Sequence, residues 1–230
     1  MMVLYKLILA VISFSIISSV LADGLAIDKI YHPYVQPLER EIELRMISED
    51  DEQKYRLGLG TSLSDRLFIE AYVISTNANN EQLDVSAYEL EVKYQLTEQG
   101  EYAMDWGVIA ELEKERHEEN WEAATGLIIE KEWASWIGTA NLWAIYEWGD
   151  TIKNELESSL SLQARYRYSR YFEPAMELYS GQNTRGFGPV IMGDVSFTGR
   201  NKLHWEAGAI FGLDSKTADN TWRLLTEVEF

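Results

Sequence analysis

The chain has 230 residues, no cysteine, 38 acidic against 20 basic side chains and a formal charge of −18. Disulfides and thiolate metal sites are thereby excluded. So large an acid excess also argues against nucleic acid or an anionic surface as partner, since both demand basic patches.

Residues 1–22 carry one positive charge, Lys6, then the apolar run Leu7–Ile17, and finish Val20-Leu21-Ala22 before Asp23. This is the layout of a cleaved secretory signal peptide. A membrane anchor would need about 20 apolar residues, and no Cys follows that could take a lipid. Residues 23–37 contain Pro33, Pro37 and the rings Tyr31, His32 and Tyr34. They predict an extended arm that is either a periplasmic tether or a short plug folded into a barrel mouth.

From Leu38 onward one unit recurs: about ten residues of alternating polarity, then a polar break. Strands are predicted near Leu38–Ile47, Lys54–Thr61, Arg66–Ser75, Val85–Leu96, Ala103–Glu113 and Trp121–Glu132. Six more follow near Ile137–Trp148, Asn154–Tyr168, Glu173–Ser180, Gly188–Phe197, Lys202–Gly212 and Thr221–Phe230. The ninth is short and carries Pro174, which a central strand tolerates poorly. Longer breaks (48–53, 76–84, 114–120, 149–153, 181–187 and 213–220) alternate with tighter ones such as 62–65, 133–136, 169–172 and 198–201. An even set of strands with long and short connections in turn predicts an up-and-down barrel with both termini on the short-turn, periplasmic side. Residues 38–230 read as one domain.

The two faces of the strands identify the solvent. One face is apolar almost throughout, as in Leu67, Ile69, Ala71 and Val73, or Leu203, Trp205, Ala207, Ala209 and Phe211. The other carries Glu41, Glu43, Arg45, Arg56, Glu70, Glu89, Glu91, Glu111, Glu130, Glu155, Glu157, Arg165, Glu177, His204, Glu206 and Arg223. A soluble lipocalin-like barrel shows the same alternation with its apolar face inward. Trp and Tyr gathered toward strand ends, as in interfacial girdles, favour the membrane orientation. The final strand ends in Phe230 and resembles the C-terminal assembly signal of bacterial outer-membrane barrels. The expected fold is therefore all-β: an up-and-down antiparallel transmembrane β-barrel of about twelve strands, preceded by a cleaved signal peptide.

The run Tyr31-His32-Pro33-Tyr34-Val35-Gln36-Pro37-Leu38-Glu39-Arg40-Glu41-Ile42-Glu43, followed by alternating strands to a terminal Phe, resembles a group of uncharacterised proteobacterial outer-membrane proteins. These are similar, more distantly, to the barrel family linked to phenol-degradation pathways (the MetA pathway) and treated as outer-membrane transporters. The resemblance implies a barrel and a transport role; it transfers no catalytic or binding residue.

Chemistry has few candidates. His204 and His117, each with acids nearby, are the residues a hydrolase would use, but the first reads as a lumen hydrogen-bond partner and the second as part of a solvated loop. There is no serine elbow, zinc helix or phosphate loop. Six carboxylate pairs at i,i+2, such as Glu89/Glu91 and Glu155/Glu157, are spread around the ring, as a polar lumen requires. The expected function is a passive channel for small polar or cationic solutes. Its selectivity is expected from Glu89, Glu91, Glu111, Glu130, Glu155 and Glu157, together with Arg56, Arg165 and Arg223. A closed structural or sensing barrel is the alternative. No cofactor or metal is expected. The expected partners are outer-membrane lipid and the barrel-assembly machinery, around a monomer.

Overall fold

The computed structural model describes residues 27–230 except 51, 79–82, 198 and 200; the expected signal peptide lies outside the described residues. Twelve strands follow in order: β1 (Arg40–Glu49), β2 (Glu52–Ser62), β3 (Leu67–Ala78), β4 (Asp84–Gln95), β5 (Asp105–Glu115) and β6 (Asn120–Trp133). The second half is β7 (Trp136–Gly149), β8 (Glu155–Tyr166), β9 (Glu173–Ser180), β10 (Arg185–Ser196), β11 (Lys202–Gly212) and β12 (Asn220–Glu229). Each pairs antiparallel with its sequence neighbours, and β1 closes on β12 from Glu41↔Glu229 to Glu49↔Thr221. Closure leaves no free sheet edge.

Alternation explains which way each strand faces. Outward Leu57 is 49% exposed and Leu224 53%, whereas inward Glu43, Arg45, Glu177 and Arg223 are all 0%. The apolar face is on the outside, which rules out the lipocalin-like arrangement. Aromatic side chains ring both ends. Trp136 packs on Tyr166 at 5.0 Å near the short turns, and Trp121 stacks on Trp148 at 6.3 Å and 6° near the long loops. Such belts sit at the two membrane–water interfaces.

The expected alternation of long and short connections is not found: those on the rim away from the termini run from two to seven residues, and those on the rim of the termini, the expected short-turn side, from two to nine. Two connections differ most. The break expected at 48–53 is a tight hairpin, because Glu49 pairs with Glu52 and alternation runs up to it. On the opposite rim, β4 and β5 are separated by the nine residues 96–104, a loop that hides its length because Tyr102 and Met104 continue the apolar pattern. Pro174 is accommodated because β9 is eight residues long and pairs with β8 only from Leu160↔Ser180 to Arg165↔Ala175.

The outward face is specified tightly enough to be measured. Leu57→Arg places a charge between the girdles on the lipid side and is expected to cost about 2–4 kcal/mol. Reversible urea unfolding from lipid vesicles reads that loss, whereas Leu57→Ile is expected to lie close to wild type.

Candidate functional site: a lumen constriction

The lumen is occupied by the chain itself. Residues 27–37 run from the short-turn mouth, where Val35 N–H donates to Gln95 Oε1 at 2.8 Å, to mid-depth, where Asp28 lies between Arg45 and Arg56. None of the segment belongs to the sheet. Its polar backbone is met by wall side chains instead. Tyr31 N–H donates to Asn141 Oδ1 at 2.7 Å, and Asn141 Nδ2 donates back to Tyr31 O at 2.9 Å. Asn141 on β7 thus imitates a strand neighbour. Pro33 presses against Gly107 of β5, where a Cβ would stand 3.0 Å from the Pro33 Cα. Glycine lets the two backbones come this near; a Cβ there would push the segment off by a few tenths of an ångström.

Side chains lock the segment at several heights. Tyr34 OH donates to Asp105 at 2.8 Å, His32 Nδ1 lies 2.5 Å from Glu130, and Tyr31 OH donates to Glu91 at 2.8 Å. Lys29 Nζ reaches Glu43 at 2.5 Å and Glu227 at 3.6 Å. Asp28 is the focus. Its carboxylate accepts from Arg45 and, at 2.7 Å, from Arg56, while its carbonyl accepts from Arg223 Nη1 at 2.5 Å and bonds the Tyr179 hydroxyl at 2.6 Å. Burial pushes the Asp28 carboxyl up, but the two guanidinium groups beside it outweigh that and hold it well below the usual carboxylate range.

Apolar contacts complete the grip. Ile27 and Ile30 pack with Ala175, Tyr179, Val190, Met192 and Ile210, and Tyr31 packs with Ile109, Ile128 and Trp143. These wall residues point inward, so the interior is not uniformly polar as the alternation implied. An apolar stripe faces the segment because a dry contact holds a chain that has few hydrogen bonds of its own.

Among the described residues, a cavity lies on either side of the segment. The one toward the long loops is about 120 Å³ and is lined by Glu89, Glu111, Glu113, Glu122, Glu147 and Glu157, with Lys29, Lys54 and Arg56 as its bases. The one toward the short turns is about 240 Å³ and is lined by acids including Glu41, Glu70, Glu91, Glu227 and Glu229, with Lys93, Arg165, Lys202 and His204. Lys29 and Tyr31 line both, so the segment is the partition.

The residues singled out from sequence fall into three groups. Glu89, Glu91 and Glu111 converge, with carboxylate oxygens within 4.8 Å of one another, and are the described residues placed to share a cation. Arg56 pairs with Glu89, and Arg223 with Glu177 and Glu206 at 2.9 and 3.0 Å, at mid-depth. Glu130 serves the segment through His32, Glu157 lines the long-loop cavity, and Arg165 lines the short-turn cavity, 3.4 Å from Glu173. Glu155 lines neither cavity; it faces Glu147 at the long-loop end of β8. Asp28, Lys29, Asn141, Tyr72 and Tyr179 were not anticipated. Their signal was an adjacent Asp-Lys pair within the arm, and uncharged polar or aromatic residues at inward positions. His204 bonds Asp194 and Glu206 at 2.8 and 3.2 Å, and His117 bonds Asp84 at 2.7 Å on an exposed loop.

No family model and no curated relative matches the sequence. Solved structures do match. The KdgM porin, in complex with disordered oligogalacturonate, aligns with a TM-score of 0.57 at 13% identity, over 83% of this chain and 98% of its own. An outer-membrane channel from Pseudomonas putida F1 aligns with 0.57 at 14%, over 91% of this chain and 100% of its own. The NanC porin aligns with 0.51 at 12%, over 83% and 98%. At these identities the likeness carries the fold: the chain is a closed barrel of the bacterial outer-membrane type.

Asp28→Asn keeps the shape of the latch and removes its charge. Leaving Arg45 and Arg56 undercompensated is expected to weaken docking of the segment by about 3 kcal/mol. Amide exchange at Tyr31 and Val35 is expected to accelerate, while exchange along the strands stays as in wild type.

Proposed function

We propose that the protein is a monomeric, non-enzymic channel of the bacterial outer membrane, delivered there by the barrel-assembly machinery. It passes small polar or cationic solutes through an acidic lumen that residues 27–37 constrict. The observation that carries this reading is the pair of acid-lined cavities on either side of a segment that only side chains hold in place. A lumen meant solely as structural filling would be packed throughout, whereas here water-sized space opens at both ends. Acids in low-dielectric walls attract cations and repel anions at both mouths. Glu89, Glu91, Glu111, Glu130 and Glu157, with Arg56 and Arg223, are the residues proposed to set selectivity at and beside the constriction. Glu155 and Arg165 contribute only to the fields at the two mouths. The porin and channel functions of the matching barrels support the same reading, as does the resemblance of residues 31–43 to the relatives of the phenol-degradation transporter family.

Planar-bilayer recording tests it. Wild type is expected to give small cation-preferring events, and deletion of residues 27–37 to raise the conductance severalfold with the preference kept. A Pro33→Cys, Gly107→Cys pair would lock the segment. The Pro33 Cβ is 3.1 Å from an ideal Cβ at Gly107, so a small shift reaches the spacing of about 3.8 Å that a disulfide prefers. With no other thiol present, oxidation is expected to suppress the events and reduction to restore them. An absence of events from the deletion variant, or a clear anion preference, would sink the proposal.

A further inference from the structure

The outer wall carries a feature the lumen does not explain. On the lipid face, from the short-turn half of β6, β7 and β8 across to β9 and β10, lies an apolar groove of about 450 Å³. Its floor is Gly138, Ala140 and Ala164, on the paired strands β7 and β8, so over this patch the side chains are a methyl group or nothing. Trp133 closes the short-turn end, its ring so near Gly138 that a Cβ there would stand 2.8 Å away. Phe187 and Met176 form the far wall.

At the mouth of the groove stands Lys131. Among the described residues it has no acidic partner; its ammonium lies 5.7 Å from the Trp133 ring centroid. Lys54, Lys93, Lys153, Arg170 and Lys216 form no ion pair among the described residues either, but they line the lumen or lie in loops, whereas Lys131 stands on an outward strand position, away from the interior where Lys29, Arg45, Arg56 and Arg223 are each neutralised. The charge at Lys131 therefore calls for an anion from outside. A second copy of the chain could not supply one through its own lipid face. Between the girdles, the outward positions of the described strands carry no carboxylate.

We propose that the groove binds one glycerophospholipid of the leaflet at the short-turn rim. An acyl chain lies along Gly138, Ala140 and Ala164, and the lipid phosphate sits on Lys131 beside Trp133. A lipid chain gains little from leaving other lipid, because both surroundings are equally apolar. Retention has to come from close dispersion contact in a fitted groove and from the headgroup charge. The groove provides the first and Lys131 the second, at the depth where an interfacial Trp marks the headgroup level. The site is independent of the conduction pathway, since none of its outward side chains faces the lumen.

Native mass spectrometry of the barrel, extracted from bacterial membranes in mild detergent, reads the outcome. Wild type is expected to retain a single phospholipid. Lys131→Gln is expected to reduce that retention about fivefold, the effect of one lysine at an anionic lipid surface. Ala140→Trp fills the floor and is expected to abolish it. Leu57→Trp, on a distant part of the outer wall, is expected to leave it unchanged. Heat-modifiable gel migration confirms that each variant is a folded barrel. Retention that survives both groove variants, a wild-type barrel that carries no lipid while still folded, or a dimer mass in place of the lipid adduct would each overturn the assignment.

Discussion

A bilayer offers the peptide backbone no hydrogen-bond partner, and the pairing of β1 with β12 is what makes this chain compatible with that solvent. Once the ring closes, every side chain is committed to hydrocarbon or to a shared interior. The interior then receives nearly all the charge that the strands carry. Glu43, Arg45, Glu177 and Arg223 have no exposed surface, so each must find its counter-charge within the barrel. Closure thus creates the electrostatic problem that the segment 27–37 helps to solve. Asp28 supplies the acid that Arg45 and Arg56 share, and Lys29 supplies a base to Glu43 and Glu227.

The strand plan was legible because a period of two has a single cause here, a wall one residue thick between two solvents. Strands β9 and β11 have the bounds that alternation indicated, and the other ends differ by three residues or fewer. The hairpin at Asp50 reads in sequence as a longer break because a run of acids looks the same in a solvated loop and on a paired rim. The interior was harder to read. Leu127-Ile128-Ile129, Val190-Ile191-Met192 and Ala209-Ile210-Phe211 are apolar on both faces, and their inward members, Ile128, Val190, Met192 and Ile210, cluster with the segment or with a side chain that holds it. A run that breaks alternation marks a wall covered on both sides, which is the sequence trace of an occupant. Which occupant it is depends on contacts up to 195 residues apart, as between Arg223 and Asp28, and no local pattern encodes those.

The depth profile of the lumen divides its charges by role. At mid-depth, guanidinium and carboxylate groups meet directly with tyrosine hydroxyls among them. Tyr72 lies 5.5 and 5.2 Å from the Arg45 and Arg56 guanidinium carbons, and Tyr179 bonds to Arg223. Such a belt is rigid, since each group has its partner fixed from two sides. Toward each mouth the acids outnumber the bases and line open space. An ion approaching from either side meets the same sign of field before it meets the constriction.

That symmetry bears on what the segment controls. It carries one acid and one base at mid-depth, Asp28 and Lys29, so its departure would change the net charge there very little. The wall it would uncover presents Arg45, Arg56 and Arg223 against Glu43, Glu89, Glu177 and Glu206, still an excess of acid. In the proposed channel, preference for cations would therefore belong to the barrel wall and the width of the path to the segment. The two are separable because the mid-depth charges stand on β1, β2, β4, β9, β11 and β12, whereas occlusion depends on a stretch that none of those strands pairs with.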